Sequence, residues 1–86
     1  MDRIELMKAI EAKRGTSAYS AWVIGVADDP NRRRKEHEDE GRDTRYWTHW
    51  KADTETIARV VEMYFLEKGM KGGSGGGAHP AYVYIF

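Results

Sequence analysis

The 86-residue sequence has no cysteine, no long hydrophobic run and no excess of either charge. Without cysteine the fold has no disulfide, and the chain offers neither a thiolate metal ligand nor a cysteine nucleophile. A membrane-spanning helix needs about 18 successive apolar residues, and no such run occurs; the start of the chain also lacks the apolar stretch of a signal peptide. We therefore expect a cytoplasmic protein, not a membrane protein, that is stabilised by packing alone.

The charges balance, with 14 Lys and Arg against 14 Asp and Glu. A net charge of zero argues against nucleic-acid binding by bulk positive charge, although it does not say where the charges lie. Hydrophobic residues make up 41% of the chain, which suffices for one small core, and the length leaves no room for a second. We predict a single domain over residues 1–86.

Hydrophobic spacing predicts three helices and three strands that alternate along the chain. Helices are expected at 2–14, at 30–40 after the turn Asp28-Asp29-Pro30, and after Asp53, which can cap a helix with apolar residues at i, i+3, i+4, i+7 and i+8 (Ile57, Val60, Val61, Tyr64, Phe65). Strands are expected at 21–26, 45–51 and 81–86. The order α-β-α-β-α-β predicts an α/β (α+β) fold with a small, mostly antiparallel three-stranded sheet flanked by three helices.

The segment Lys71–Gly77 is almost devoid of side chains and has two interpretations. One is a flexible connector, and the other is a phosphate-binding loop. A Walker loop would end in Gly-Lys-Ser/Thr and open a helix, whereas a strand-like segment follows here. We interpret Lys71–Gly77 as a connector.

The most informative motif runs from Val23 to His37. It contains Val23-Ile24-Gly25, a turn with Asp and Pro, then Arg33 and, four residues later, His37. This spacing resembles the second half of the GIY-YIG nuclease domain without a gap. Further on, Ala58 and Glu62 match the Ala-x-x-x-Glu arrangement of the same family, and the resemblance covers roughly residues 20–77.

The resemblance implies a phosphodiesterase site that uses Mg²⁺ or Mn²⁺. Arg33 would contact the scissile phosphate, Glu62 would be the carboxylate ligand of the metal, and His37 would be an auxiliary catalytic residue. An arginine is a planar, permanently charged donor that suits a phosphate. One carboxylate is enough for Mg²⁺, which keeps several waters and takes phosphate oxygens as further ligands.

The sequence departs from the family at two places. Val23 stands where the family has the tyrosine that activates the attacking water, and the opening Gly-Ile-Tyr strand is missing upstream. We therefore hypothesise that strand 81–86 occupies the vacant sheet edge beside 21–26, as in a circular permutation. Tyr82 or Tyr84 would then replace the missing tyrosine, with Tyr46 or His37 as alternative bases.

Several basic and aromatic residues have both a functional and a structural interpretation. The cluster Arg32, Arg33, Arg34 and Lys35 is either a phosphate-contacting group or a solvated helix face neutralised by the acids that follow it. Nucleic-acid binding would also involve Arg45 and Lys51, beside Trp47 and Trp50, which either stack on bases or belong to the core. His49 and His79 lack partners at zinc-site spacing.

Two functions follow from these observations. The first is a GIY-YIG-like, divalent-metal-dependent endonuclease that acts on DNA or RNA. The second is a catalytically inactive relative that binds nucleic acid or a protein partner through the same surface.

Overall fold

A computed structural model describes residues 1–72 and 78–86 of the chain. Three α-helices and four strands occur in it, together with a short 3₁₀ turn at Tyr19–Ala21; in chain order they are α1 (Arg3–Arg14), β1 (Val23–Ala27), α2 (Pro30–Asp39), β2 (Thr48–Lys51), α3 (Glu55–Lys68), β3 (Lys71–Gly72) and β4 (Tyr82–Ile85). None of the helices in these two segments is long and apolar enough to cross a membrane.

The sheet has four strands in the order β2-β4-β1-β3, and it is mixed. Strand β4 is antiparallel to both of its neighbours, whereas β3 is parallel to β1. The predicted α/β class and the three helices are confirmed, but the prediction of three strands is wrong. The fourth strand is made by Lys71 and Gly72, which the sequence pattern predicts to be part of a connector; the Lys71 amide donates to the Trp22 carbonyl at 3.0 Å. The rest of that predicted connector, residues 73–77, lies outside the described residues.

The C-terminal strand pairs beside β1, as hypothesised, with Ile85 opposite Ile24 and Tyr84 opposite Gly25. Its expected position at the sheet edge is wrong, because β4 lies between β1 and β2. Val83, Tyr84 and Ile85 are completely buried. A strand that is apolar on both faces gains most from such an interior position.

The two faces of the sheet are covered by different helices. One face carries Ile24, Val26, Val83 and Ile85, and it packs with α1 and α3 to form the hydrophobic core. Because side chains alternate along a strand, Gly25 and Tyr84 point to the opposite face, on which α2 lies. We call this second face the α2 face; Gly25 of the Val23–His37 motif lies on it, whereas Ala58 and Glu62 lie on α3.

Polar side chains fix the helix ends. Asp2 and Glu5 form a capping box at the start of α1, and Asp29 caps α2 with Pro30 in the first helical position. The prediction that Asp53 caps α3 is wrong, since the Thr54 hydroxyl accepts the Ile57 amide instead. A β-region residue one position closer to the helix is better placed to reach this amide.

The second predicted strand is shorter than expected. Only Thr48–Lys51 is extended, and Arg45 and Tyr46 form a turn in which the Trp47 amide donates to the Thr44 carbonyl. The strand begins where partners exist, because β4 offers matching positions only from Thr48, opposite Ile85, onward. Aromatic residues alone therefore overstated the length of this strand.

Candidate functional site

Helix α2 brings two of the predicted site residues to the sheet. Arg33 and His37 are four residues apart, so they share one side of the helix. His37 is 1% exposed, and the Arg33 side chain is 14% exposed, whereas that of its neighbour Arg32 is 56% exposed. The helix thus separates one buried arginine from the exposed members of the basic cluster.

The buried histidine contacts the C-terminal strand. His37 Nε2 and the Tyr84 hydroxyl form a hydrogen bond of 2.8 Å between residues 47 positions apart in the chain. The Trp47 ring is stacked on the Tyr84 ring at 4.4 Å and 13°, and the Phe86 ring lies 4.8 Å from the imidazole. We call His37, Trp47, Tyr84 and Phe86 the aromatic cluster.

The Tyr84 ring lies directly over Gly25. A Cβ atom added at Gly25 would overlap the Tyr84 hydroxyl and ring. Only glycine leaves enough space for this ring, so the glycine of the Val-Ile-Gly motif has a structural reason to be there. Tyr84, rather than the half-buried Tyr82, is consequently the tyrosine that the fold places beside the motif.

Burial keeps the hydrogen-bonded pair neutral. It lowers the pKa of His37, with a smaller contribution from the positive charge of Arg42. It also raises the pKa of Tyr84 to about 12. At neutral pH the pair is therefore a neutral imidazole and a neutral phenol, and the tautomer of His37 decides which of them donates.

Glu62 lies half-buried on α3, next to the buried Ala58 side of the helix. Burial raises the pKa of its carboxyl, and Arg59 partly offsets the shift. Within the described segments Glu62 forms no ion pair. After burial, the charges of Arg33 and Glu62 have the largest effects on the pKa of Tyr84, in opposite directions. The charges of Arg33 and Glu62 thus both influence the Tyr84 hydroxyl, although Glu62 lies on α3, which covers the face of the sheet opposite α2.

Two buried nitrogen atoms in side chains of α2 lack a hydrogen-bond partner among the described residues. They are Arg33 Nε and His37 Nδ1. A third such atom, Trp22 Nε1, belongs to a side chain packed against the core. An unsatisfied buried polar group costs about 1–3 kcal/mol, so each one calls for an explanation. For Arg33 and His37, a bound polar ligand would provide one.

A solvent-open cleft of about 610 Å³ lies on the same side of the molecule. Val23 and Phe86 form part of its wall, and Arg42 and Lys71 supply two positive charges. Val23 therefore borders the cleft without any acid-base group. Sequence reasoning missed Arg42 and Lys71, because neither belongs to a motif and only the pairing of β3 with β1 brings Lys71 here.

The other basic candidates form ion pairs with nearby acids. Arg32 pairs with Asp28 and Glu36, and three further pairs join Arg34 to Glu38, Lys35 to Asp39 and Arg45 to Asp43. The Arg45 side chain lowers the pKa of Asp43 to about 2. These contacts fit a solvated, internally neutralised surface, and nucleic-acid binding by these residues stays a prediction. Lys51 is exposed on β2, opposite Tyr82.

The two tryptophans of the 45–51 segment have separate environments. Trp50 packs against the hydrophobic core. Trp47 lies on the α2 face, where its Nε1 donates to His49 Nδ1 at 2.9 Å while its ring covers Tyr84. Tyr46, a proposed alternative base, is 63% exposed and lines the cleft. The sequence named Trp47 as a base-stacking or core residue, but it did not reveal that Trp47 covers Tyr84.

The donor set fits only a metal ion that the substrate helps to bind. In the described part of the chain, no three His, Asp or Glu side chains gather into a metal site. Among the described carboxylates, Glu62 alone is half-buried and without a cation partner. Mg²⁺ is compatible with this arrangement, since it retains waters and accepts phosphate oxygens as ligands.

No family model, curated protein or solved structure matches this chain. Functional inference therefore depends on the residues described above and on the motif spacing.

Proposed function

We propose that the chain is a circularly permuted GIY-YIG-like domain that hydrolyses phosphodiester bonds in DNA or RNA with a divalent metal ion. One observation carries the proposal. Tyr84, from the far end of the chain, lies opposite Gly25 and bonds to His37 of α2, the helix that also carries Arg33. Gly25, His37 and the tyrosine proposed to replace Val23 are therefore adjacent in space, and Glu62 influences this tyrosine from α3.

Arg33 is suited to bind the phosphate. Among the described residues its Nε has no partner, and its one ion pair, to Glu36, is long at 3.5 Å. A phosphate oxygen would satisfy the buried N–H and form a stronger, charge-assisted hydrogen bond. Arg33 also lies in the first turn of α2, where the helix dipole favours an anion.

Glu62 would hold the divalent ion, Mg²⁺ or Mn²⁺, which when bound supplies Lewis-acid polarisation of the phosphate and lowers the pKa of a bound water. The half-buried carboxylate is destabilised in its charged form, as the direction of its pKa shift shows. A nearby cation would reverse that shift, since an opposite charge favours the ionised carboxylate.

His37 and Tyr84 would position and move a proton. The lowered pKa leaves the imidazole neutral, so Nε2 can accept the hydrogen of the Tyr84 hydroxyl. This hydroxyl can in turn accept a proton from the attacking water. Tyr84 is completely buried, so water reaches it only if the covering side chains, Trp47 foremost, move aside. Activity thus requires opening of the aromatic cluster.

The burial of Tyr84 also favours a second function. Val23 provides no acid-base group, and Tyr84 has a pKa of about 12 and no exposed surface. A domain with these features can bind a phosphate backbone through Arg33 without cleaving it. This second candidate is a catalytically inactive module that binds nucleic acid or a protein partner.

Cleavage of single- and double-stranded DNA and RNA in Mg²⁺ or Mn²⁺, with and without a chelator, distinguishes the two. For the enzyme we expect metal-dependent cleavage that falls about 100-fold or more in Arg33→Ala, Glu62→Gln and Tyr84→Phe, because each removes a group that acts in the reaction. Arg32→Ala is the matched control, and its rate should stay near that of the wild type because Arg32 is exposed and ion-paired.

Binding measured in parallel completes the test. Salt-dependent binding without cleavage, lost in Arg33→Ala, would support the inactive module and contradict the enzyme. If the wild type neither cleaves nor binds an oligonucleotide at low salt, both nucleic-acid functions are wrong. Binding that is unchanged in Arg33→Ala would show that the α2 face is not the contact surface.

A further inference from the structure

The outer face of α3 and the adjoining part of α1 concentrate the exposed apolar side chains of the described residues. Six large hydrophobic side chains are exposed, and five of them lie on these two helices: Ile4, Val60, Met63, Tyr64 and Leu66. The sixth, Tyr46, borders the cleft described above. Scattered exposed apolar residues are normal, but a contiguous group of this kind marks an interaction surface.

The surface has the shape of a groove. A cavity of about 520 Å³ lies between the helices, with Met7 of α1 on one side and Met63 and Tyr64 of α3 on the other. Charged residues of opposite sign, Arg3 and Glu67, also line it. The groove is separate from the α2 face, because α1 and α3 cover the other face of the sheet.

The exposed side of α3 is complementary in charge to a second, antiparallel copy of the same helix. Arg59, Met63 and Glu67 follow one another at intervals of four residues and so lie in one row along the helix. If a second copy of α3 packs antiparallel about Met63, Arg59 of one copy lies opposite Glu67 of the other. By the same symmetry, Val60 lies opposite Leu66.

Arg59 and Glu67 are both available for such a contact. Neither forms an ion pair within the described part of the chain. Their arrangement, positive one turn before Met63 and negative one turn after it, places each charge against one of opposite sign in an antiparallel copy. Nucleic acid or an anionic membrane would instead favour a surface of one positive sign.

We propose that the chain forms a symmetric homodimer in which two α3 helices pack antiparallel about Met63. The contact is isologous, with the same residues on each protomer, so it closes on itself and does not propagate into filaments. Met63 at the centre supplies a flexible apolar side chain, and the two Arg59–Glu67 pairs fix the direction of the helices. The α2 face remains open in both protomers, whereas Glu62 precedes Met63 on α3 and lies beside the contact.

Light scattering after gel filtration, over a range of protein concentrations, tests the dimer. The wild-type mass should approach twice the 9.9 kDa of the chain. Met63→Glu should halve that mass, because the symmetry places the two new carboxylates against each other. Tyr46→Glu is the matched control, since Tyr46 is equally exposed but lies outside the surface, and its mass should equal that of the wild type.

Two reversals of charge make the test specific to the antiparallel pairing. Arg59→Glu and Glu67→Arg should each weaken the dimer about tenfold or more, and the double variant should restore it. Circular dichroism confirms folding of every variant. A wild type that is monomeric at all concentrations, which would leave the groove to another partner, contradicts the proposal. A dimer that persists in Met63→Glu, or a double variant that fails to recover, also contradicts it.

Discussion

Gly25 and Tyr84 show how one residue limits its neighbour across a sheet. The aromatic ring occupies the space that any side chain at position 25 would need, and its hydroxyl reaches His37. Aromatic side chains that cover a glycine on the adjacent strand are a recognised way to fill the gap left by the missing Cβ. In this protein the pair also sets the position of the only buried histidine of the motif.

Gly25→Ala should therefore destabilise the protein. The new methyl group would displace Tyr84 and loosen its hydrogen bond to His37, and such overpacking costs about 1–3 kcal/mol of the free energy of unfolding. Urea unfolding followed by tryptophan fluorescence measures the loss. Gly72→Ala is the control, because its Cβ would make only an ordinary contact with Leu66. Equal effects of the two changes would contradict the argument.

Helix α2 carries Arg33 and His37, and local interactions fix its first turn. Asp29 accepts the Arg32 amide at 3.1 Å, and Pro30 follows in the first helical position. Beyond this turn the helix contains almost no apolar residue, so its position depends on the cap and on the contact of His37 with the sheet. The start of the helix therefore influences the geometry of both candidate residues.

Asp29→Ala should lower the free energy of unfolding by about 1 kcal/mol, since it removes the N-cap. Asp29→Asn should have little effect, because asparagine caps helices equally well. Chemical denaturation quantifies both variants. A loss of the same size in Asp29→Asn would assign the effect to the charge and not to the cap.

At the scale of the whole molecule, the C-terminal strand joins the two halves of the sheet. Strand β4 pairs with β1 on one side and with β2 on the other, and its side chains enter both the core and the α2 face. Folding of the entire chain therefore buries Tyr84 and His37 together. The protonation of His37 is coupled to global unfolding through this burial.

Stability should fall when the pH drops below about 6.5. The pKa of His37 is lowered in the folded state, chiefly by burial and then by Arg42. The unfolded chain binds a proton near the ordinary pKa of about 6.5 while the folded chain does not. The contribution of neutral His37 to the free energy of unfolding is therefore complete above pH 6.5, and it is lost as the pH falls through the folded-state pKa of His37.

Unfolding by urea between pH 5 and 8 checks this prediction against His37→Gln, in which the pH dependence over this range should be weaker. His79→Gln is the control, since the His79 side chain is 91% exposed, and it should retain the wild-type profile. The pKa of Glu62 is raised from its ordinary value of 4.5, so above that pH its ionisation lowers the free energy of unfolding as the pH rises. This contribution is the same in the wild type and in the variants. The difference between their profiles therefore reports on His37. Identical profiles for wild type and His37→Gln would overturn the prediction.

The local elements could be predicted because their causes are local. The helices begin at capping residues and run along apolar or charged periodic segments, so α1 and α2 differ from expectation by one residue at an end. The four-residue spacing alone places Arg33 and His37 on one side of α2. The short strand β3 escaped prediction, since two residues ending in glycine carry no pattern that would indicate a strand.

The sequence by itself determined the composition of the elements and the spacing of Arg33, His37 and Glu62 along their helices, because neighbouring residues decide both. Only the tertiary structure decided that Tyr84, and not Tyr82, lies opposite Gly25, and that Trp47 covers it. Strand register and ring stacking depend on which distant strands pair and which faces are buried. These are properties of the whole packed chain, and no local pattern encodes them.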